Sequence, residues 1–158
     1  MLGSKSDFFK SNEETLVSVK NFMIVFLNKH KTNKDVIKFY EEAFDYFVEY
    51  PDDFDGTTIL KDIKVIPNLD IFAMIHDYMY IKFNVSVNLK YKFICDKIFS
   101  LEIERCGLPW EISWVRFGLL TLSTIVFTPF KYLTGVRMDD KQKIELSEII
   151  KSFNYSSP

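Results

Sequence analysis

Residues 68–83 read NLDIFAMIHDYMYIKF, and this stretch decides the fold class. Around His76, the positions three, four and seven residues away are Leu69, Phe72, Ala73, Met79, Tyr80 and Phe83, all apolar or aromatic. Recurrence at those intervals belongs to one face of an α-helix; a strand would alternate every second residue. Asn68 is suited to the N-cap, and FNVSVN, beginning at Phe83, marks a turn. A further helix is expected from Leu89 to Cys106, with Gly107 at the position after its C-cap and Pro109 in the first turn of the next helix. Joined by so short a turn, the two helices are expected to pack as an antiparallel pair.

The same periodicity extends in both directions. Ser11-x-x-Glu14 has the spacing of a capping box, followed by an expected inward stripe of Leu16, Val19, Phe22, Met23 and Phe26. Thr32 or Asn33 starts a second helix with Val36, Tyr40, Ala43, Phe44 and Phe47 on one face, and Pro51 ends it. Residues 51–67, PDDFDGTTILKDIKVIP, read as a long surface excursion, with Ile63 and Val65 in at most one short strand. WEISWVRFGLL opens another helix that must bend or stop near Pro129. A last amphipathic helix follows Asp139 and turns Leu146, Ile149, Ile150 and Phe153 inward. The expectation is a mostly α chain: a single domain, 1–158, of five to six helices, with residues 1–10 and 155–158 as flexible ends.

Composition limits what such a chain does. Its 158 residues are 47% hydrophobic, with 5 Gly and 5 Pro, which excludes a disordered or collagen-like chain. Twenty basic against 22 acidic residues leave a formal charge of −2, so no bulk basic footprint for nucleic acid exists. The 16 Phe, 8 Tyr and 2 Trp are heavy for a small protein and imply a dense aromatic core, an aromatic surface, or both. Trp110, Trp114, Phe117, Phe127 and Phe130 gather between 110 and 132, the expected docking surface. The longest charge-free run, 117–130, is shorter than the roughly 20 residues a membrane-spanning helix needs. MLGSKSDFFKSNEE lacks the apolar stretch of a secretory leader, and Cys95 and Cys106 make no disulfide framework, so reduced thiols and synthesis in a cytoplasm are expected. His30, in NKHKTNK, reads as a solvated loop residue.

Four residues carry the chemistry. His76 sits in an apolar stripe, which favours its neutral form and demands a hydrogen-bond partner. Asp77 is flanked by Ala73, Met74, Tyr80 and Ile81, and a carboxylate there needs a cation, a donor or a metal. On the following helix Asp96 stands among Leu89, Phe93, Phe99 and Ile103, with Lys92 and Ser100 the polar exceptions. Antiparallel packing would let Asp96 accept from the His76 imidazole and the Tyr80 hydroxyl, leaving the other ring nitrogen as a base toward water. The same residues also read as a buried network that only ties two helices together.

His76-Asp77-x-x-Tyr80, with Asp96 twenty residues after the histidine, resembles the active-site helix pair of secreted and parvoviral phospholipases A2. That resemblance implies His76 as the base, Asp77 as a calcium ligand, and Tyr80 with Asp96 as supports of the histidine. It also implies a membrane lipid or another ester as substrate. The family's glycine-rich calcium loop has no G-x-G counterpart before His76; Gly56, in DFDGTT, is the backbone candidate beside Asp77.

A second resemblance covers roughly residues 66–120. IHDYMY, then Asp96-Lys97-Ile98-Phe99, then Cys106-Gly107 and an aromatic helix, is similar to an uncharacterised family of bacteriophage proteins patterned HDYLY, D-x-I/V-F, glycine, helix. Members lie among virion and tail genes. The resemblance therefore implies a virion-associated structural protein, a capsid, portal or tail component, made in the host cytoplasm and docked on other virion proteins.

Overall fold

The computed structural model describes residues 9–54, 69–107, 118 and 136–153. Among them stand five α-helices and no strand: α1 (Glu13–Lys29), α2 (Lys34–Glu49), α3 (Leu69–Phe83), α4 (Leu89–Arg105) and α5 (Asp140–Ser152). The chain is mostly α, with 81% of the described residues helical. The strand expected near Ile63 and Val65 lies outside the described residues, as does the helix opening at Trp110, apart from helical Gly118. Two compact units divide the chain, Met1–Asp77 and Tyr78–Pro158, and the division falls inside α3.

In the first unit, α1 begins one residue later than the capping-box spacing suggests. Asn12, not Ser11, is the N-cap, its side chain accepting from the Thr15 backbone N–H at 2.9 Å. Glu13 and Glu14 then complement the positive end of the helix. His30 is the C-cap rather than a solvated loop residue. Its N–H reaches back to Phe26 O, and its half-buried ring lies 4.7 Å from the Phe26 ring, because a capping residue folds over the last turn.

α1 packs against α2. It buries Met23 and Leu27, while α2 buries Val36, Ile37, Phe39, Tyr40, Ala43, Phe44 and Phe47. The stripe expected on α2 is therefore entirely inward. On α1 the stripe is one position out: Phe22 is 52% exposed, since Met23 and Leu27 already fill the inner face. Lys20 and Asp45 join the two helices at their surface with an ion pair of 2.7 Å.

Past α2, Pro51–Asp53 forms a 3₁₀ turn and Phe54 returns to the core. Phe9 meets it there. Its ring centroid lies 5.1 Å from that of Phe54, 5.6 Å from Phe44 and 5.7 Å from Phe47. Phe47 and Phe54 complete the cluster at 5.2 Å. Phe54 in the expected excursion and Phe9 in the expected flexible N-terminus are thus core, while Asp52, Asp53 and Lys10 beside them are exposed. Neither belongs to a periodic segment, so each packs through one buried aromatic ring. Lys10–Asp52 at 2.7 Å and a Tyr46 hydroxyl donating to Asp53 at 2.6 Å close the edge.

In the second unit α3 ends at Phe83 and Asn84 takes a left-handed conformation, φ 50°, which asparagine tolerates better than most residues. Val85–Val87 makes a 3₁₀ turn with both valines buried, and Asn88 caps α4. That helix stops at Cys106; Gly107 follows at φ 86°, a conformation a side chain would strain. Asp139 and Gln142 form a full capping box at the start of α5. Gln142 also donates to the Lys82 carbonyl at 3.0 Å, and Lys82 pairs with Glu145 at 2.7 Å, which fastens α5 to the end of α3. Leu146 and Phe153 are its buried contributions; Ile149 and Ile150, expected inward, are half-buried.

These burial differences separate aromatics that look alike in sequence. Phe47→Ala should destabilise the fold by about 3–5 kcal/mol, and Phe22→Ala by well under half of that. Urea unfolding at low protein concentration measures both; equal losses would mean that the α1 and α2 faces are misassigned.

Candidate functional site

Asp96 governs the polar interior of the second unit. It lies on α4 with 1% of its surface exposed, so its carboxylate must be served from within the protein. The Tyr80 hydroxyl donates to Asp96 Oδ1 at 2.5 Å. Lys92, one helical turn before Asp96, donates to the Tyr80 hydroxyl at 2.6 Å and lies 3.4 Å from Asp96 Oδ2. The same ammonium stands 4.8 Å from the centroid of the Tyr80 ring. Tyr80, three residues before the end of α3, thus meets residues near the start of α4, the contact an antiparallel helical pair makes.

The expected bond from Tyr80 to Asp96 is present, and Lys92 is an addition. Treated in sequence as a polar exception, it is itself buried. Its signal was the spacing: a lysine and an aspartate four apart on a helix stand one above the other. Leu89 and Phe93, expected on the Asp96 face, are instead 56% and 49% exposed, while Phe99 and Ile103 are buried as expected.

His76 and Asp77 belong to the first unit. His76 is 8% exposed, in keeping with the buried Phe72 and Ala73 of its apolar stripe. Its Nδ1 lies 3.3 Å from Asp77 Oδ1, a long contact between adjacent residues that turns the Asp77 carboxylate toward the imidazole. Gly56, the backbone candidate for a calcium shell, lies outside the described residues. Among the described residues no three His, Cys, Asp or Glu side chains converge as a metal site would require.

One further feature was not singled out in sequence. Glu102 is 2% exposed and receives both arms of Arg105, Nε to Oε1 at 2.9 Å and Nη2 to Oε2 at 2.8 Å. The two-pronged geometry suits a carboxylate that has lost its water. Cys95 is buried and free, and burial pushes its thiol well above the ordinary range. Cys106, half-buried at the C-cap, is pushed up to about 11, burial outweighing the opposing Arg105 charge. Both are poor nucleophiles at neutral pH.

No helix among the described residues is long and apolar enough to cross a membrane. Comparison of the chain with protein-family models, curated proteins and solved structures finds no match.

Two measurements test this geometry. Asp96→Ala should destabilise the fold by about 3–5 kcal/mol, because it strands a buried ammonium. In a double-mutant cycle with Lys92→Met, the coupling should exceed about 1 kcal/mol; additivity would mean that the pair does not interact. Iodoacetamide should label Cys106 slowly at pH 8, with the rate climbing through about pH 11. Cys95 should react only on unfolding, and rapid labelling of either thiol at pH 8 contradicts the burial.

Proposed function

We propose that this chain is a bacteriophage virion-associated structural protein, a capsid, portal or tail component, whose buried polar residues hold its helices together. The virion reading rests on the likeness of residues 66–120 to the phage pattern. The structural reading of the polar residues rests on Lys92. A phospholipase-type aspartate stabilises the imidazolium that forms as histidine takes a proton, and for that it needs negative charge not already matched. The Asp96 carboxylate already has the Lys92 ammonium 3.4 Å away, with the Tyr80 hydroxyl bonded to both groups. Such an arrangement suits a fixed ion pair better than a catalytic support.

A second reading has one observation in its favour. His76 Nδ1 and the Asp77 carboxylate stand side by side, a ring nitrogen next to a cation ligand. Under it the chain is a calcium-dependent lipid or ester hydrolase used during cell entry. His76 is then the base, Asp77 holds calcium, and a bilayer lipid is the substrate.

Mass spectrometry of purified virions tests the first reading: the protein should be present at stoichiometric copy number, and its absence would sink the virion role. Incubation of the purified chain with mixed phospholipid vesicles and calcium tests the second. Hydrolysis that chelator abolishes, and that His76→Ala and Asp77→Ala each remove while the helical signal persists, would establish the enzyme and overturn the structural reading. The structural reading expects no release of fatty acid under these conditions.

A further inference from the structure

The even charge balance of the chain hides a sorted segment. Residues 15–40 hold five lysines and a single carboxylate, Asp35, although the whole chain is formally −2. Lys20 is engaged with Asp45 of α2. The other four, Lys29, Lys31, Lys34 and Lys38, are exposed and make no ion pair among the described residues. They gather at the elbow where α1 passes into α2. Lys29 suits its place, at the negative end of α1. Lys31 stands at φ 55°, its N–H bonded to Asn28 O and that of Thr32 to Leu27 O, a helix end that normally uses glycine. Lys34 and Lys38, one turn apart, repel each other near the positive end of α2. These last three placements disfavour the isolated chain and bring it no internal ion pair.

Beside the elbow stands a ladder of rings, all in the first unit. Phe22, Phe26 and His30 follow at four-residue intervals along α1, within an arc of about 80°. Phe22 and Phe26 lie nearly parallel, 22° between planes and 6.3 Å between centroids, and His30 comes within 4.7 Å of Phe26. Buried Phe72 braces Phe26 from within, edge-on at 6.2 Å. The outer rung, Phe22, keeps 52% of its surface in water. Lys29 lies about 20° round the helix from Phe22, two turns further on, so the ladder and the lysines share one side.

We infer that this ladder and elbow bind single-stranded nucleic acid, bases against the rings and phosphates against the lysines. A base of any identity has a π-face to stack on Phe22 and His30, and its backbone repeats a negative charge at every step. Other anionic partners match only half of the surface. An acidic peptide answers the lysines and leaves Phe22 wet. A bilayer calls for a continuous apolar face, whereas Phe22 and Val25 stand among exposed Ser18, Asn21 and Lys29. The ladder is roughly 12 Å long, room for only a few nucleotides, so binding is weak and salt-dependent.

Fluorescence anisotropy of labelled oligodeoxythymidylate, titrated with the full chain, tests the inference. With Lys29, Lys31 and Lys34 on phosphates, raising salt from roughly 50 to 200 mM should weaken binding about twenty-fold. Phe22→Ala should weaken it by at least about five-fold, the loss of one base stack. Lys31→Gln with Lys34→Gln should weaken it and flatten the salt slope by about two-thirds. An abasic strand of the same length and charge should bind more weakly and be indifferent to Phe22→Ala. All three substituted positions are exposed, so the melting curve should stay as in the wild type. No binding at the lowest salt overturns the inference. So does an abasic strand held as tightly as the natural one, the mark of a plain polyanion surface. Vesicles of phosphatidylserine and phosphatidylcholine bound in preference to the oligomer overturn it too. The comparison of strands with and without bases uses the wild type alone, so it decides even if a variant folds poorly.

Discussion

A carboxylate withdrawn from water needs a positive charge close by, and Asp96 sets the arrangement of α4 through that need. The nearest position from which one helix can answer is one turn away, and Lys92 occupies it. Once these two residues face inward, the rotation of α4 is fixed. Cys95, Phe99 and Ile103 share the core with them, and Phe93, about 100° round from Lys92, lies toward solvent. Tyr80 is drawn in by both groups, accepting from the ammonium and donating to the carboxylate, so the polar contact also sets where the end of α3 lies. Replacing such a network by apolar residues is often neutral or stabilising, whereas breaking one partner is not. Its worth to this fold is therefore better seen in register and rotation than in net stability.

The aromatic excess divides in the same physical way. Phe9, Phe44, Phe47 and Phe54 form one buried cluster of tilted and edge-on rings, the geometry favoured by the charge distribution of aromatic faces. Phe22 and Phe93 lie half in water. A core built of large flat rings needs few residues to fill its volume. That lets single aromatics from irregular segments, Phe9 before α1 and Phe54 after α2, seal it where no helix is available.

Much of this was legible in sequence, and the reasons are local. Helix α2 shows its whole inward stripe because its apolar residues occupy one face and its charges the other. The start of α5 after Asp139 and the glycine after α4 are short-range signals, set by backbone groups left without partners at helix ends. Tyr80 and Asp96 were legible as a pair because a short turn leaves two helices little choice but to fold back. On α1 Phe22 alone of the expected stripe was misplaced, because the helix is apolar on more than one side: periodicity marks which residues share a face, not where that face ends. Lys92 was passed over because a lone lysine is ordinarily solvated, and its burial depends on an acceptor in α3. Phe9 and Phe54 carry no periodic signal at all, since their contacts span tens of residues.

The two-sidedness of α1 and the inward charges of α4 follow from one rule. A helix has about 360° of surface to assign, and a small core can take only part of it. In α4 part of the inner arc is given to a matched lysine and aspartate, which share it with Cys95, Phe99 and Ile103. In α1 the inner arc is closed by Met23 and Leu27, so Val17 and Val25, in excess of that need, stand in water. Exposed apolar residues scattered at random need no partner. The polar residue inside the core and the apolar residue outside it are therefore the two places where this sequence departs from simple amphipathic patterning. The first departure is answered within the chain by Tyr80, Lys92 and Asp96, and the second follows from the limited share of α1 that the core can take.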